Sequence, residues 1–440
     1  LRADEIRIGF REFQGSAAME KLRAEGSARW TMRPSQKGTA ADREAARTIS
    51  ADSIEMFSYS KGTGMESGNA AGKVSIVDSG SDKTVRRMLS DSAQFHFFPG
   101  DNQIKDLVAE GHVQVAYENS IGPALKSTST SDHLTAAFEL VGGRSALSGM
   151  SQWGNFTYKD DTKSASAGRC DYDPVKSVLI LKESPKIVSD DMGNTTGELV
   201  QYDQKQKVLS IRNKVRSVFR SKRGEGPFFG SSNDNSPVLI TADTLEYSTE
   251  PARARYSGNV QMLSEKNGQL KARTLEILNR GERLSAEGEI RHLVLMNQVS
   301  PKGVGSKAAL SGNKSDSKIS GDLPMIIESA TLQYSKEKNS ISYSGNVTLH
   351  FNDMNLTADS LDALLDKMGN RIDHAIARGK VRLHQGEREC KGEQAEYYLD
   401  SGKSVVLGNP AEVYDPGKGR SYARRLTWSR ADDSILLENR

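Results

Sequence analysis

An eight-residue pattern returns along the whole of this 440-residue chain, and a recurring unit of that kind constrains the fold more than any single residue does. Its template is Ile240-Thr-Ala-Asp-Thr-Leu-Glu-Tyr247. Close copies are Leu356-Thr-Ala-Asp-Ser-Leu-Asp-Ala363, Ile49-Ser-Ala-Asp-Ser-Ile-Glu-Met56 and Leu1-Arg-Ala-Asp-Glu-Ile-Arg-Ile8. Looser ones are Leu270-Lys-Ala-Arg-Thr-Leu-Glu-Ile277, Ile327-Glu-Ser-Ala-Thr-Leu-Gln-Tyr334 and Ser421-Tyr-Ala-Arg-Arg-Leu-Thr-Trp428. Degenerate copies at 88–95, 129–136, 165–172, 195–202 and 390–397 complete a set of twelve and are recognised largely by their place in the spacing. A second signature follows each octet, with Gly, any residue, then Val or Ile. Examples are Ser257-Gly-Asn-Val260, Glu287-Gly-Glu-Ile290, Ser344-Gly-Asn-Val347, Arg378-Gly-Lys-Val381, Glu110-Gly-His-Val113 and Ala71-Gly-Lys-Val74. Proline versions are Gly408-Asn-Pro410 and Ser184-Pro185.

The apolar residues of one unit spell out its local structure. After the glycine they alternate, as in Val260 and Met262 or Val347 and Leu349, which is the period of a strand. Within the octet the phase switches, Ile240 and Ala242 on one parity, Leu245 and Tyr247 on the other. A one-residue slip would turn every later side chain to the opposite face. A bend or bulge near Asp243 returns both sets to one interior, and the glycine of the second signature suits a kink. One unit is therefore a bent antiparallel hairpin, which cannot bury its apolar face alone and must stack on its neighbours. The class is all-β.

Core spacing between octets is about 30 residues, and longer gaps hold insertions rich in Gly, Ser, Lys, Pro or Asn. These predict loops over 33–47, 119–129, 221–237 and 298–323, with one short candidate helix at 40–47. The expected organisation is an N-terminal set of repeats over 1–220, a loop or linker over 221–237, and a C-terminal set over 238–440 with its insertion at 298–323.

Charge is nearly balanced, 60 basic against 57 acidic residues, so nothing asks for nucleic acid. No apolar run reaches the ~18–20 residues that span a bilayer. The chain opens on Leu1 rather than Met, which suggests a leader or anchor ahead of it. Cys170 and Cys390 have neither metal-ligand nor disulfide-framework spacing and occupy apolar octet slots, so two separate buried thiols are expected. The recurrent Asp4, Asp52, Asp243 and Asp359 could bind calcium or serve acid catalysis. Corner-turning fits better, because Arg273, Ala330 and Arg424 take the same slot elsewhere. His350 and His384 share a repeat position without a third ligand, so no metal or cofactor is expected. No nucleophile elbow or phosphate loop appears.

The paired signatures resemble the OstA-like lipopolysaccharide transport family, which comprises LptA, the periplasmic part of LptC and the N-terminal domain of LptD. The stretch from Ser257-Gly-Asn-Val260 to Ile277 looks like LptA, as do Lys391-Gly-Glu-Gln-Ala-Glu-Tyr397, Val406-Leu-Gly-Asn-Pro410 and Arg425-Leu-Thr-Trp428. The likeness covers 238–440 most fully, extends over 1–117, and rests on period alone between 119 and 219. The chain is longer than a typical LptA, so it resembles an enlarged or fused LptC–LptA-like member. The resemblance implies an elongated antiparallel β-jelly-roll, or β-taco, whose two sheets hold lipid A acyl chains in an apolar groove. It further implies a periplasmic location, possible tethering to the inner membrane by a preceding segment, and end-to-end strand addition to itself or to other Lpt-type jelly-rolls in a bridge to the outer membrane.

On that reading the groove lining is Ile240, Ala242, Leu245 and Tyr247 with Val260 and Met262, then Leu270, Ala272, Leu275 and Ile277. It continues through Val347, Leu349, Leu356, Ala358 and Leu361 to Val381 and Leu383. The residues alone allow these positions to be a closed core instead. The terminal strands offer Ile6, Ile8, Ile435 and Leu437 as partner contacts, because open edges are covered or used. Two other classes stay open: a parallel β-helical enzyme acting on polysaccharide, and a structural surface stalk with a dry core. The expected function is a non-enzymatic carrier of lipopolysaccharide or a related amphiphile.

Overall fold

A computed structural model describes the chain except residues 33–45, 60–63, 80–83, 102, 120–125, 142–143, 220–236, 265–267, 297–322, 367–371, 400, 430–433 and 440. Among the described residues there are 26 β-strands and one 3-10 turn, Asn279–Gly281. No described helix is long and apolar enough to cross a membrane. The helix expected over 40–47 and most of the expected loops lie outside the described residues. Their ends are strand at Ala46, Arg47 and Leu323. Residues 126–129, expected as loop, also open a strand. Ser and Thr there are polar, but strand formation needs a pleated fit between two neighbours rather than hydropathy.

Two compact units are present, Leu1–Asn213 and Lys214–Arg440. In the first, β1 (Glu5–Phe13), β2 (Ser16–Met32), β3 (Ala46–Ser58), β4 (Met65–Ser79), β5 (Thr84–Phe97), β6 (Ile104–Asn119), β7 (Lys126–Val141), β8 (Arg144–Lys159) and β9 (Lys163–Asp173) each pair antiparallel with the next. Beyond β9 the long strands are cut in two. β10 (Val178–Lys182) and β11 (Lys186–Ser189) both pair with β9, one on each side of Pro185. β12 (Gly193–Thr196) and β13 (Leu199–Asp203) answer them, and β14 (Val208–Phe219) contains the unit boundary. The Ser184-Pro185 signature thus marks a broken corner, since proline has no N–H for the ladder.

The second unit continues with β15 (Val238–Thr249), β16 (Ala252–Ser264), β17 (Gly268–Leu278), β18 (Arg283–Met296), β19 (Leu323–Ser335) and β20 (Ser340–Phe351). It ends with β21 (Met354–Leu365), β22 (Ile372–Gln385), β23 (Arg388–Tyr398), β24 (Lys403–Asp415), β25 (Gly419–Ser429) and β26 (Ser434–Glu438). Consecutive strands pair antiparallel throughout. The architecture is an all-β antiparallel jelly-roll of bent hairpins. Antiparallel hairpins exclude a parallel β-helix.

The bend expected near Asp243 is present, and its extra residue lies on the facing strand. Pairing jumps from Thr241↔Gln261 to Thr244↔Ser257, so two residues of β15 oppose three of β16. On the other side it jumps from Ser257↔Thr274 to Val260↔Ala272. The bulge is therefore Gly258-Asn259, with φ of 78° and 48°. The residue after the signature glycine is left-handed in the other copies too, at Lys73, His112, Asn155, Glu289, Asn346 and Lys380. Opposite the bulge, the third octet position is Ala, Ser or Gly in all twelve copies. Where it is Ser, the hydroxyl of Ser90, Ser131 or Ser329 donates to the carbonyl two residues on and braces the bend.

The fourth octet position covers the glycine. A Cβ at Gly258 would overlap the Asp243 carboxylate, and the same holds for Gly26 with Asp4, Gly72 with Asp52, Gly111 with Asp91, and Gly379 with Asp359. Asn259 donates to Asp243 at 2.9 Å and Asn155 to Asp132 at 2.8 Å. In one copy the polarity is exchanged, with Arg273 donating to Glu289 at 2.8 Å. These carboxylates are thus engaged at the corners of their hairpins.

Gly258→Ala is expected to lower the unfolding midpoint of the chain in urea. It must place an L-residue in the left-handed region, at about 1–2 kcal/mol, and also displace Asp243. Gly386→Ala, at φ of 58° with open space around it, should show only the first effect.

Candidate functional site

The bends fold each long strand into two arms, and the apolar side chains of both arms meet inside. Along the first arm of the second unit, registered neighbours run Ile240, Met262, Leu270, His292, Ile327, Leu349, Leu356, Leu383 and Cys390. Along the second arm they run Leu245, Tyr256, Leu275, Ala286, Leu332, Tyr343, Leu361, Ala377 and Ala395. At the corner, Val260, Val347 and Val381 face Ala272, Ala358 and Gly392. Tyr247 and Ile277 lie further out on the second arm, both in register with Ala254.

All seventeen residues expected to line a groove are buried, none more than 8% exposed, so the fold brings them into one interior. That interior is packed. A partly open gap in it, lined by Met325, Ile327, Leu349, Met354, Leu356, Leu361 and their neighbours, measures about 30 Å³. This is roughly one water molecule's share of liquid volume. A tail of many methylenes needs the arms to part.

Several polar residues occupy slots that the pattern reserves for apolar ones. His292 stands where Met262 and Leu349 stand in their copies, two residues after the signature Ile290. Its Nδ1 lies 2.7 Å from the Tyr343 hydroxyl, and Tyr256 donates to Ser217 Oγ at 3.0 Å. In the first unit Gln152, 1% exposed, accepts from Ser129 at 2.8 Å and donates to Ser131 at 3.2 Å. Burial pushes the His292 imidazole down to about 4. A polar residue in an apolar register slot was the available signal for each of these. It is visible only once the register is known.

The two cysteines are free and buried, and burial pushes both thiols up to about 12. His350 and His384 lie on the outer face, both in register with Asn355, which separates them by one strand. His350 hydrogen-bonds Asn355, while His384 is 3.6 Å from Glu389. Among the described residues no cluster of three or more His, Cys, Asp or Glu could hold a metal.

At the ends, β1 pairs with β2 and β26 with β25, and neither has a second strand partner among the described residues. Ile6, Ile8 and Leu437 are exposed, whereas Ile435, in register with Trp428, is half-buried. Phe10, 63% exposed, and Leu436 join this set, though the sequence pattern did not single them out.

Two outcomes follow from the burial. Cys170 and Cys390 should resist a maleimide in the folded chain and label together on unfolding, as read by mass spectrometry. Stability should also carry a His292 contribution that is full above pH 6.5 and is lost as pH falls toward 4. The unfolded chain takes up the proton near 6.5, whereas the folded one refuses it until about 4. The loss is on the order of 3 kcal/mol. The double variant H292L/Y343F should lack this component in urea titrations across that range.

Residues 326–430 match the family described as "LptA/(LptD N-terminal domain) LPS transport protein". No curated protein matches the chain in sequence. Among solved structures, one similar chain is LptH from Pseudomonas aeruginosa, described as the LptA homologous periplasmic component of the conserved lipopolysaccharide transport device. It is 13% identical over 27% of this chain and 83% of that one, with a TM-score of 0.25. The family match falls on the octets at 327–334, 356–363, 390–397 and 421–428. Over residues 326–430, about a quarter of its length, the chain is thus similar in sequence to the LptA and LptD N-terminal domain family of lipopolysaccharide transport proteins.

Proposed function

We propose that this protein is a non-enzymatic periplasmic component of lipopolysaccharide transport that shields acyl chains between the two arms of its bent strands. The family match over 326–430 carries the reading. Its physical support is that the apolar rows on both arms continue beyond that stretch in one register, from Ile240 and Leu245 onward. An acyl chain gains roughly 0.8 kcal/mol per buried methylene, with no directional bond to fix it along the row. A repeated lining therefore favours sliding, where a single deep pocket would trap. Loading requires the arms to separate about their corners, since the interior is packed. In this reading the sets 1–220 and 238–440 each carry such a lining. β1 and β26 add strands end to end with another copy or another jelly-roll of the same kind.

A second reading, a structural stalk with a permanently dry core, is favoured by one observation, the gap of only about 30 Å³. Photocrosslinking in living cells separates the two. A photoreactive residue at Leu275 or Leu361 should give lipopolysaccharide adducts at both positions and none at the outward-facing Lys271. Absence of adducts from every inward position would leave only the stalk.

A further inference from the structure

Four of the most deeply buried side chains in the second unit are polar, and they pair across its interior. His292 follows the corner of β18 and lies on the first arm between Leu270 and Ile327. Tyr343 precedes the corner of β20 and lies on the second arm between Leu332 and Leu361. Their 2.7 Å contact therefore joins the arms and skips a strand, from β18 to β20. Tyr256, before the corner of β16, reaches Ser217 of β14 in the same way, beyond the left-handed pair Asn213 and Lys214.

We propose that the His292–Tyr343 pair is a clasp that bars an alkyl tail from the interior until it opens, so that these two residues gate the trough. The inference rests on the carrier reading. Along the rows between these polar pairs the registered neighbours are apolar, their contacts are not directional, and an inserted tail replaces them with contacts of the same kind. At the clasp that exchange fails. An alkyl chain offers neither donor nor acceptor, so parting His292 from Tyr343 leaves the buried Tyr343 hydroxyl without this bond and nothing in the tail to replace it.

The position of the gap agrees. It is lined by Ile327 and Leu361, the registered neighbours of His292 and Tyr343, and extends away from the clasp toward Leu383 and Ala395. Loose packing thus begins where the clasp ends. On the carrier reading, a tail that enters as the arms part on the β19–β24 side meets the clasp when it moves toward Leu270 and Leu275. The Tyr256–Ser217 bond forms a second bar further along the same rows.

Tyr343→Phe removes the hydroxyl and keeps the ring, and the test uses the full chain with two readouts. The first is amide hydrogen exchange in β18 and β20 without ligand. The second is the entry rate of a dansylated long-chain fatty acid, followed by its fluorescence. Y343F is expected to speed both, the entry rate by roughly tenfold, as for loss of one net hydrogen bond. H292L should act in the same direction, and the double variant should add little to either single one. Unchanged exchange in Y343F would overturn the clasp. Faster exchange with an unchanged entry rate would overturn its role as a gate. Faster exchange with no uptake by any form of the chain would overturn the carrier reading and leave the clasp standing.

Discussion

A β-strand that turns a corner must keep its apolar side chains on one side of the bend, although its pleat sends successive residues to opposite faces. In this protein most of the long hairpins meet that demand in the same place. A small residue at the third octet position lets the arms converge, and a left-handed Gly-x pair on the facing strand supplies the extra residue that lets the register change. The acidic residue beside it is held against the glycine by sterics and often by a hydrogen bond to the x residue. Because each corner also faces the corners of its neighbours, the bend repeats from strand to strand and the two arms stay in step.

The same corner explains why the pattern tolerates some changes and not others. Aspartate can give way to Arg273 when Glu289 stands opposite, since the exchange keeps the pair and reverses its direction. It can give way to Ala330, where Gly345 packs on a methyl group. The third position changes only among Ala, Ser and Gly, because a larger side chain would push the arms apart at their closest approach. At Pro185 the corner becomes a true break and the long strand is replaced by the short pair β10 and β11, whereas β24 runs on through Pro410 with a wider register shift.

The interior that the corners create serves equally well as a closed core or as the walls of a trough. On the proposed carrier reading, its registered apolar rows let a tail slide once the arms have parted. The polar pairs interrupt those rows. They mark sections where closure depends on specific atoms and not on area alone, which is where control of opening is most economically placed.

Sequence alone determined the unit and its class. Ile240 and Ala242 against Leu245 and Tyr247 already required a phase switch, and period-two alternation after Gly258 already required strands. The burial of Cys170 and Cys390 was legible for the same reason, since both occupy apolar slots. Only the tertiary structure decided which strand carries the extra residue, since a register is a relation between two chains of atoms and not a property of either. It also decided that residues 126–129 are strand, because pairing with β6 and β8 outweighs their polarity. Finally, it decided that His292 meets Tyr343: residues 51 positions apart come within hydrogen-bonding distance only after the β19 corner between them has folded one arm over the other.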